Sequence, residues 1–276
     1  MIEALRSTVF WPRQPAWFVA TAAGSLLAVA VFLLVSRGTA WQPGRLGGLT
    51  AGSIAAALFV NAALYPARRR LRSRPLGTAQ RWLQLHIYGA LLATVLVLVH
   101  IGFRLPAGML GWSMFVLTIW TGLTGLIGVY LQKTLPRLMA RNLQVEALYE
   151  RIPEFVTRLL RDADTRMTGA STVADRAYRD GVRGMLEAVQ PSWSYVLDPQ
   201  GNRRRRLEPL AQLEPFLDGP ERERLDAIAT IVKDKLDLDA HFSLQRALRL
   251  WLVLHVPAAA LLLGLVTVHF FAVVYF

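Results

Sequence analysis

Four of the chain's five histidines, His86, His100, His255 and His269, fall inside apolar stretches. An imidazole offers a lone pair and an N–H, and it is costly in hydrocarbon unless both find partners. His86 and His100 are 14 residues apart, and so are His255 and His269. At the helical pitch, 14 steps end about 40° short of four full turns and about 21 Å further along the axis. Each pair therefore shares one helix face at two depths. Two such helices running in the same direction bring His86 opposite His255 and His100 opposite His269. Haem suits such a gap, because its porphyrin is large and apolar and its iron takes one axial nitrogen from each side. The expectation is two haem irons, one on His86 and His255 near the cytoplasmic side and one on His100 and His269 near the outer side. The chain has no cysteine. It therefore lacks the C-x-x-C-H attachment motif, thiolate zinc sites and cysteine-held iron–sulfur clusters, and the haems are expected to be non-covalent haem b. With both axial positions filled, the chemistry is electron transfer rather than oxygen binding.

The elements that must position these residues are apolar runs. Hydrophobic residues make up 54% of the 276 positions, above the usual share for a soluble domain. Runs near the about 20 residues needed to cross a bilayer occur at 16–36, 47–66, 82–103, 108–131 and 250–276. None alternates in polarity as a barrel strand does. The fold class expected is all-α: an integral membrane bundle of five transmembrane helices, with a mostly helical cytoplasmic insert at 132–249 between the fourth and fifth. The first run is longer than a signal-peptide core and no clear small-residue cleavage site follows it, so it is expected to stay as a span.

The net charge of +12 is distributed as a topology signal rather than as a nucleic-acid footprint. Arg68, Arg69, Arg70, Arg72, Arg74 and Arg81 crowd the connection between spans two and three, while Arg37, Arg45 and Arg104 are sparse in the connections on the other side. Basic loops stay in the cytoplasm. The N-terminus is then cytoplasmic and the C-terminus outside, in what is expected to be a bacterial inner membrane. Spans three and five both start inside and run in the same direction, as the histidine pairing requires. The arginines also suit anionic lipid headgroups.

In the insert, Leu138, Leu143, Val145, Leu148, Ile152, Phe155 and Leu159 recur at helical spacing. They predict an amphipathic helix over 135–162, broken near Pro153. A second helix is expected at 174–189, and a short strand from Pro191 that ends in a turn at 199–202. A further helix at 219–238 is expected to continue through DAHFSLQRALRLW into span five. The insert has no G-x-G-x-x-G and no Walker A sequence. Arg203–Arg206 reads as a solvated loop, with docking onto an acidic partner or lipid as the alternative.

Other residues could support the haems. Gly89, Gly102 and Gly264 leave room for a macrocycle or serve ordinary helix packing, and Gly122, Gly125 and Gly128 suit packing. Arg81, Arg104 and Arg249, with Arg246, are placed to meet haem propionates, although snorkelling explains each of them too. Trp82, Trp112 and Trp251 read as interface anchors. Pro257 should kink span five just above His255. His241, flanked by Asp237, Asp239, Arg246 and Arg249, is expected outside the hydrocarbon as a surface or helix-entry residue.

HIYGALLATVLVLVHIGF (86–103) and HVPAAALLLGLVTVHFF (255–271) resemble the ligand helices of di-haem b-type membrane cytochromes. That group includes the cytochrome b superfamily and the ferric-reductase-like transmembrane core, in which the ligands also fall on spans three and five. TGLTGLIGVYLQKTLP (121–136) resembles the helix after the first ligand helix in bacterial cytochrome b-like proteins. The resemblance covers the spans, roughly half the chain. It implies His86, His100, His255 and His269 as axial ligands. The sixth span and flavin–nicotinamide module usual in ferric reductases and NADPH oxidases have no counterpart in these residues. The expected function is a membrane electron-transfer subunit. It would link quinone, or another cytoplasmic-side donor or acceptor, to a c-type cytochrome or iron–sulfur subunit of a larger complex. A quinol-oxidising or ferric-reductase-like enzyme in its own right is the first alternative. A proton-coupled transporter or scaffold using the histidines as relay or glue is the second.

Overall fold

The computed structural model describes residues 15–66, 77–142, 149–197 and 219–275. Among them every regular element is helical: α1 (Pro15–Gly38), α2 (Leu46–Ala63), α3 (Ala79–His100), α4 (Gly108–Asn142), α5 (Ile152–Met167), α6 (Thr172–Tyr178), α7 (Gly184–Leu186), α8 (Ser194–Leu197) and α9 (Gly219–Tyr275). Five of these, α1, α2, α3, α4 and α9, contain stretches long and apolar enough to cross a membrane. The chain divides into two compact units, 1–130 with 251–276, and 131–250.

In the first unit many of the buried residues are alanine or glycine. Ala51 and Ala55 of α2 meet Ala93, Leu96 and Val99 of α3, with Ala28, Val29 and Phe32 of α1 against them. Gly89 lies against Leu58. Alanine and glycine let helix backbones come close where no water is displaced to drive association. Thr78 caps α3, its hydroxyl accepting from the Arg81 N–H. The helix ends in a tight turn in which Gly102 and Phe103 both take positive φ.

The second unit has an ordinary apolar core. Ile152, Val156, Ala163 and Met167 form the buried stripe of α5, and Val182, Leu186, Tyr195, Ile228, Val232 and Leu236 close over the other side. The break expected at Pro153 is a helix start. Pro153 sits in the first turn of α5, where its missing N–H costs nothing. The helix expected at 174–189 is α6 and α7 joined by a π turn, Arg179–Arg183. The strand expected from Pro191 is not there. Ser192 Oγ accepts from the Ser194 N–H, and the chain turns into α8 with Tyr195 buried. The long helix into span five is continuous as α9 and carries Pro257 within it. The Arg68–Arg74 cluster, the 199–202 turn, Arg203–Arg206 and the side chains of Leu138, Leu143, Val145 and Leu148 lie outside the described residues.

His241 is not on the surface. It is 1% exposed, beside an ion pair between Lys235 and Asp239 that is itself fully buried. Asp239 also accepts from the Gln190 N–H. The flanking aspartate thus marks a buried polar cluster, because its charge is matched by Lys235 one helical turn earlier. Gln245 Nε2 donates to His241 Nε2 at 2.5 Å, and among the described residues His241 Nδ1 has no partner. Burial pushes the His241 pKa down.

Candidate functional site

The four span histidines meet in pairs. His86 and His255 have ring centres 6.5 Å apart at 69°, and His100 and His269 have centres 6.3 Å apart at 74°. A metal–imidazole nitrogen bond is about 2.0 Å, and that nitrogen is ~1.1 Å from its ring centre, so two imidazoles trans on one iron have centres about 6 Å apart. Both pairs match this separation. In addition, α3 packs closely along α1 and α2, and it meets α9 through these rings.

A ligating imidazole must present a lone pair, so its other nitrogen should carry the proton and donate it. His86 Nδ1 donates to the Ala62 carbonyl at 2.8 Å. That carbonyl is in the last turn of α2, and the residue four positions on is Pro66, which has no N–H to offer it. The histidine therefore takes the place of a missing helical donor. His100 Nδ1 donates to the Gly48 carbonyl at 2.8 Å. Access to that carbonyl depends on Gly52, one turn later: a Cβ there would lie 2.8 Å from His100 Nδ1. Trp41 closes this end, donating from Nε1 to the His100 carbonyl and packing on Phe32.

His255 is held by a side chain. The Thr124 hydroxyl donates to the Trp120 carbonyl at 2.8 Å, as a helical threonine often does, so its oxygen accepts from His255 Nδ1 at 2.9 Å. The Thr124 carbonyl accepts from Trp251 Nε1 at 2.6 Å, and the Trp251 ring stacks on His255 with centres 5.5 Å apart at 23°. Gly128 makes this possible, since any Cβ there would collide with the indole. Three histidines are thus fixed in the tautomer that leaves Nε2 for a metal. His269 has His100 as its ring neighbour and, among the described residues, no hydrogen bond to its ring nitrogens.

The glycines of α4 serve packing, each on a particular neighbour: Gly122 meets Thr94, Gly125 the His255 ring and Gly128 Trp251. Gly102 lies against Trp41 and Gly89 against Leu58, while Gly264 faces open space. Trp251 does not read as a simple interface anchor, because its indole is committed to Thr124 and His255. Arg81 and Arg104 are exposed at opposite ends of α3. Arg249 belongs to the second unit, where it donates to Glu150 and lies over the Tyr149 ring at 4.0 Å. A propionate there would compete with a carboxylate already in place. Thr124, Trp251, Gly52 and the Ala62–Pro66 pair were not singled out for this role from sequence. Pro66, four residues after Ala62, is the one sequence feature that could mark any of them.

No family model, characterised protein or solved structure matches this chain.

Proposed function

We propose that the chain is an integral membrane electron-transfer subunit that holds two b-type haems. One is held by His86 and His255 and the other by His100 and His269. The single observation that carries this is the repeated pair: two facing imidazole couples, 6.5 and 6.3 Å between ring centres, on helices long and apolar enough to span a bilayer. When bound, such haems would supply one-electron redox chemistry at two depths. The protein's own part is to orient the imidazoles and to hold the proton on Nδ1 of His86, His100 and His255. In this reading the basic 68–74 connection faces the cytoplasm of a bacterial cell, the N-terminus lies inside and the C-terminus outside. Electrons are exchanged with quinone or a cytoplasmic-side partner and with a c-type cytochrome or iron–sulfur subunit, as in the di-haem b-type cytochromes that the ligand helices resemble. Reduced-minus-oxidised spectra of purified membranes overexpressing the chain test it. Soret and α bands of haem b that scale with the protein support the reading. A folded, colourless protein points instead to a histidine relay or scaffold.

A further inference from the structure

We propose that Thr124 is a positioning residue for His255, and that it makes the His86–His255 site the lower in reduction potential of the two. This rests on the two-haem reading above. Thr124 is 6% exposed, and each of its polar atoms is committed. Its hydroxyl proton goes to the Trp120 carbonyl, its hydroxyl oxygen to His255 Nδ1, and its carbonyl to Trp251 Nε1. The His255 ring is held at its edge by the hydroxyl and on its face by the indole. One residue of α4 therefore fixes both the tautomer and the plane of a ring on α9.

The two sites differ in how many of their imidazoles are held this way. At the first, both Nδ1 atoms donate, His86 to Ala62 and His255 to Thr124. At the second, His100 donates to Gly48, and His269 donates to no described residue. An imidazole that donates from Nδ1 is a more basic ligand at Nε2. A more basic axial ligand favours the ferric over the ferrous state and lowers the potential. Two such donors against one puts the first site below the second.

The test is a redox titration of the purified full chain, followed at the α band and by low-temperature electron paramagnetic resonance. Wild type should show two transitions, with His255→Ala removing the lower one and His269→Ala the upper. Thr124→Val keeps the shape and removes the acceptor, so it should raise the lower transition and leave the upper in place. Its haem retention at that site should weaken by about 10–100-fold, the usual cost of losing such a partner. Thr124→Ser should restore the wild-type potential, which a purely space-filling role for Thr124 would not predict. If Thr124→Val moves neither transition or moves the upper one, the proposal is wrong. It is equally wrong if His255→Ala removes the upper transition. Should Thr124→Val fail to accumulate, the order of loss in the two histidine variants decides it. Folded protein without haem overturns both this inference and the two-haem reading, whereas two haems in the opposite order overturn this inference alone.

Discussion

In the first unit the exposed positions are apolar, and most buried ones are Ala or Gly, with Leu96, Val99 and Leu262 among them. Leu27 on α1 and Val253 on α9 are each 66% exposed, while Ala55 and Ala93 are nearly or fully buried. In the second unit the outward side chains form ion pairs along helices, such as Arg166–Asp162 and Arg179–Asp175, and the inward ones are Ile, Val and Leu. The polar exceptions inside differ as well. The second unit buries a full charge pair, Lys235–Asp239. The first holds half-buried neutral imidazole donors matched to helix carbonyls and one hydroxyl. This contrast fits a first unit whose helices are long and apolar enough to span a membrane and a second unit with the surface of a water-facing domain. Water rewards large buried apolar groups, whereas between helices in lipid the gain comes from close backbone approach and from meeting every N–H.

The largest effect should come from breaking the charge pair. Lys235→Met leaves Asp239 ionised and buried beside the Gln190 N–H, and should destabilise the second unit by about 3–5 kcal/mol. Chemical denaturation of the detergent-solubilised chain measures it, and a loss below about 1 kcal/mol would mean that the pair is reached by water. The contrast in exposed surface is sharper still to test. Leu27→Arg should cost about 3–4 kcal/mol of membrane insertion, arginine's cost plus leucine's lost contribution. Val173→Arg, at a position 65% exposed in the second unit, should stay within about 0.5 kcal/mol. An insertion reporter for the first and thermal unfolding for the second check the pair. Similar outcomes at both positions would erase the distinction between the units.

Smaller effects separate the two histidine sites. A methyl at Gly128 displaces Trp251 and a methyl at Gly52 presses on His100, and overpacking of this kind costs about 1–3 kcal/mol. Gly128→Ala should perturb the spectrum of one haem and Gly52→Ala that of the other. Both variants altering the same component would contradict the assignment of anchors.

The smallest effect is on pH dependence. Burial holds the His241 pKa below its ordinary value. The unfolded chain therefore accepts a proton, below about pH 6.5, that the folded second unit refuses. Its stability should hold above that pH and decline as the pH falls from it toward the lower folded value. His241→Gln should flatten this slope in unfolding curves, and an unchanged slope would assign the dependence to other groups.

Much of this architecture is legible in sequence because its signals are long. Runs of apolar residues define α1, α2, α3, α4 and the second half of α9, and the 14-residue interval puts two imidazoles on one face by arithmetic alone. Features that depend on which turns meet were not legible. Thr124 looks like any membrane threonine until α4 is seen to turn it toward α9. Trp251 suited an interface anchor because it stands near a span end, and only the gap at Gly128 shows where its indole goes. The SWSYVL segment has strand-forming residues, but burial of Tyr195 and the Ser192 cap outweigh a propensity that depends on neighbours. The charges around His241 suit a surface residue outside the hydrocarbon; it does lie in the second unit, but buried, since its neighbour Asp239 is neutralised by Lys235 within the fold.

The most direct test of the central claim is a pyridine haemochrome assay, normalised to chain concentration, on the wild type and on His100→Ala and His255→Ala. Two haems b per chain, with each variant losing one, is the predicted result. No haem in well-folded wild-type protein, or both haems retained in either variant, would contradict it.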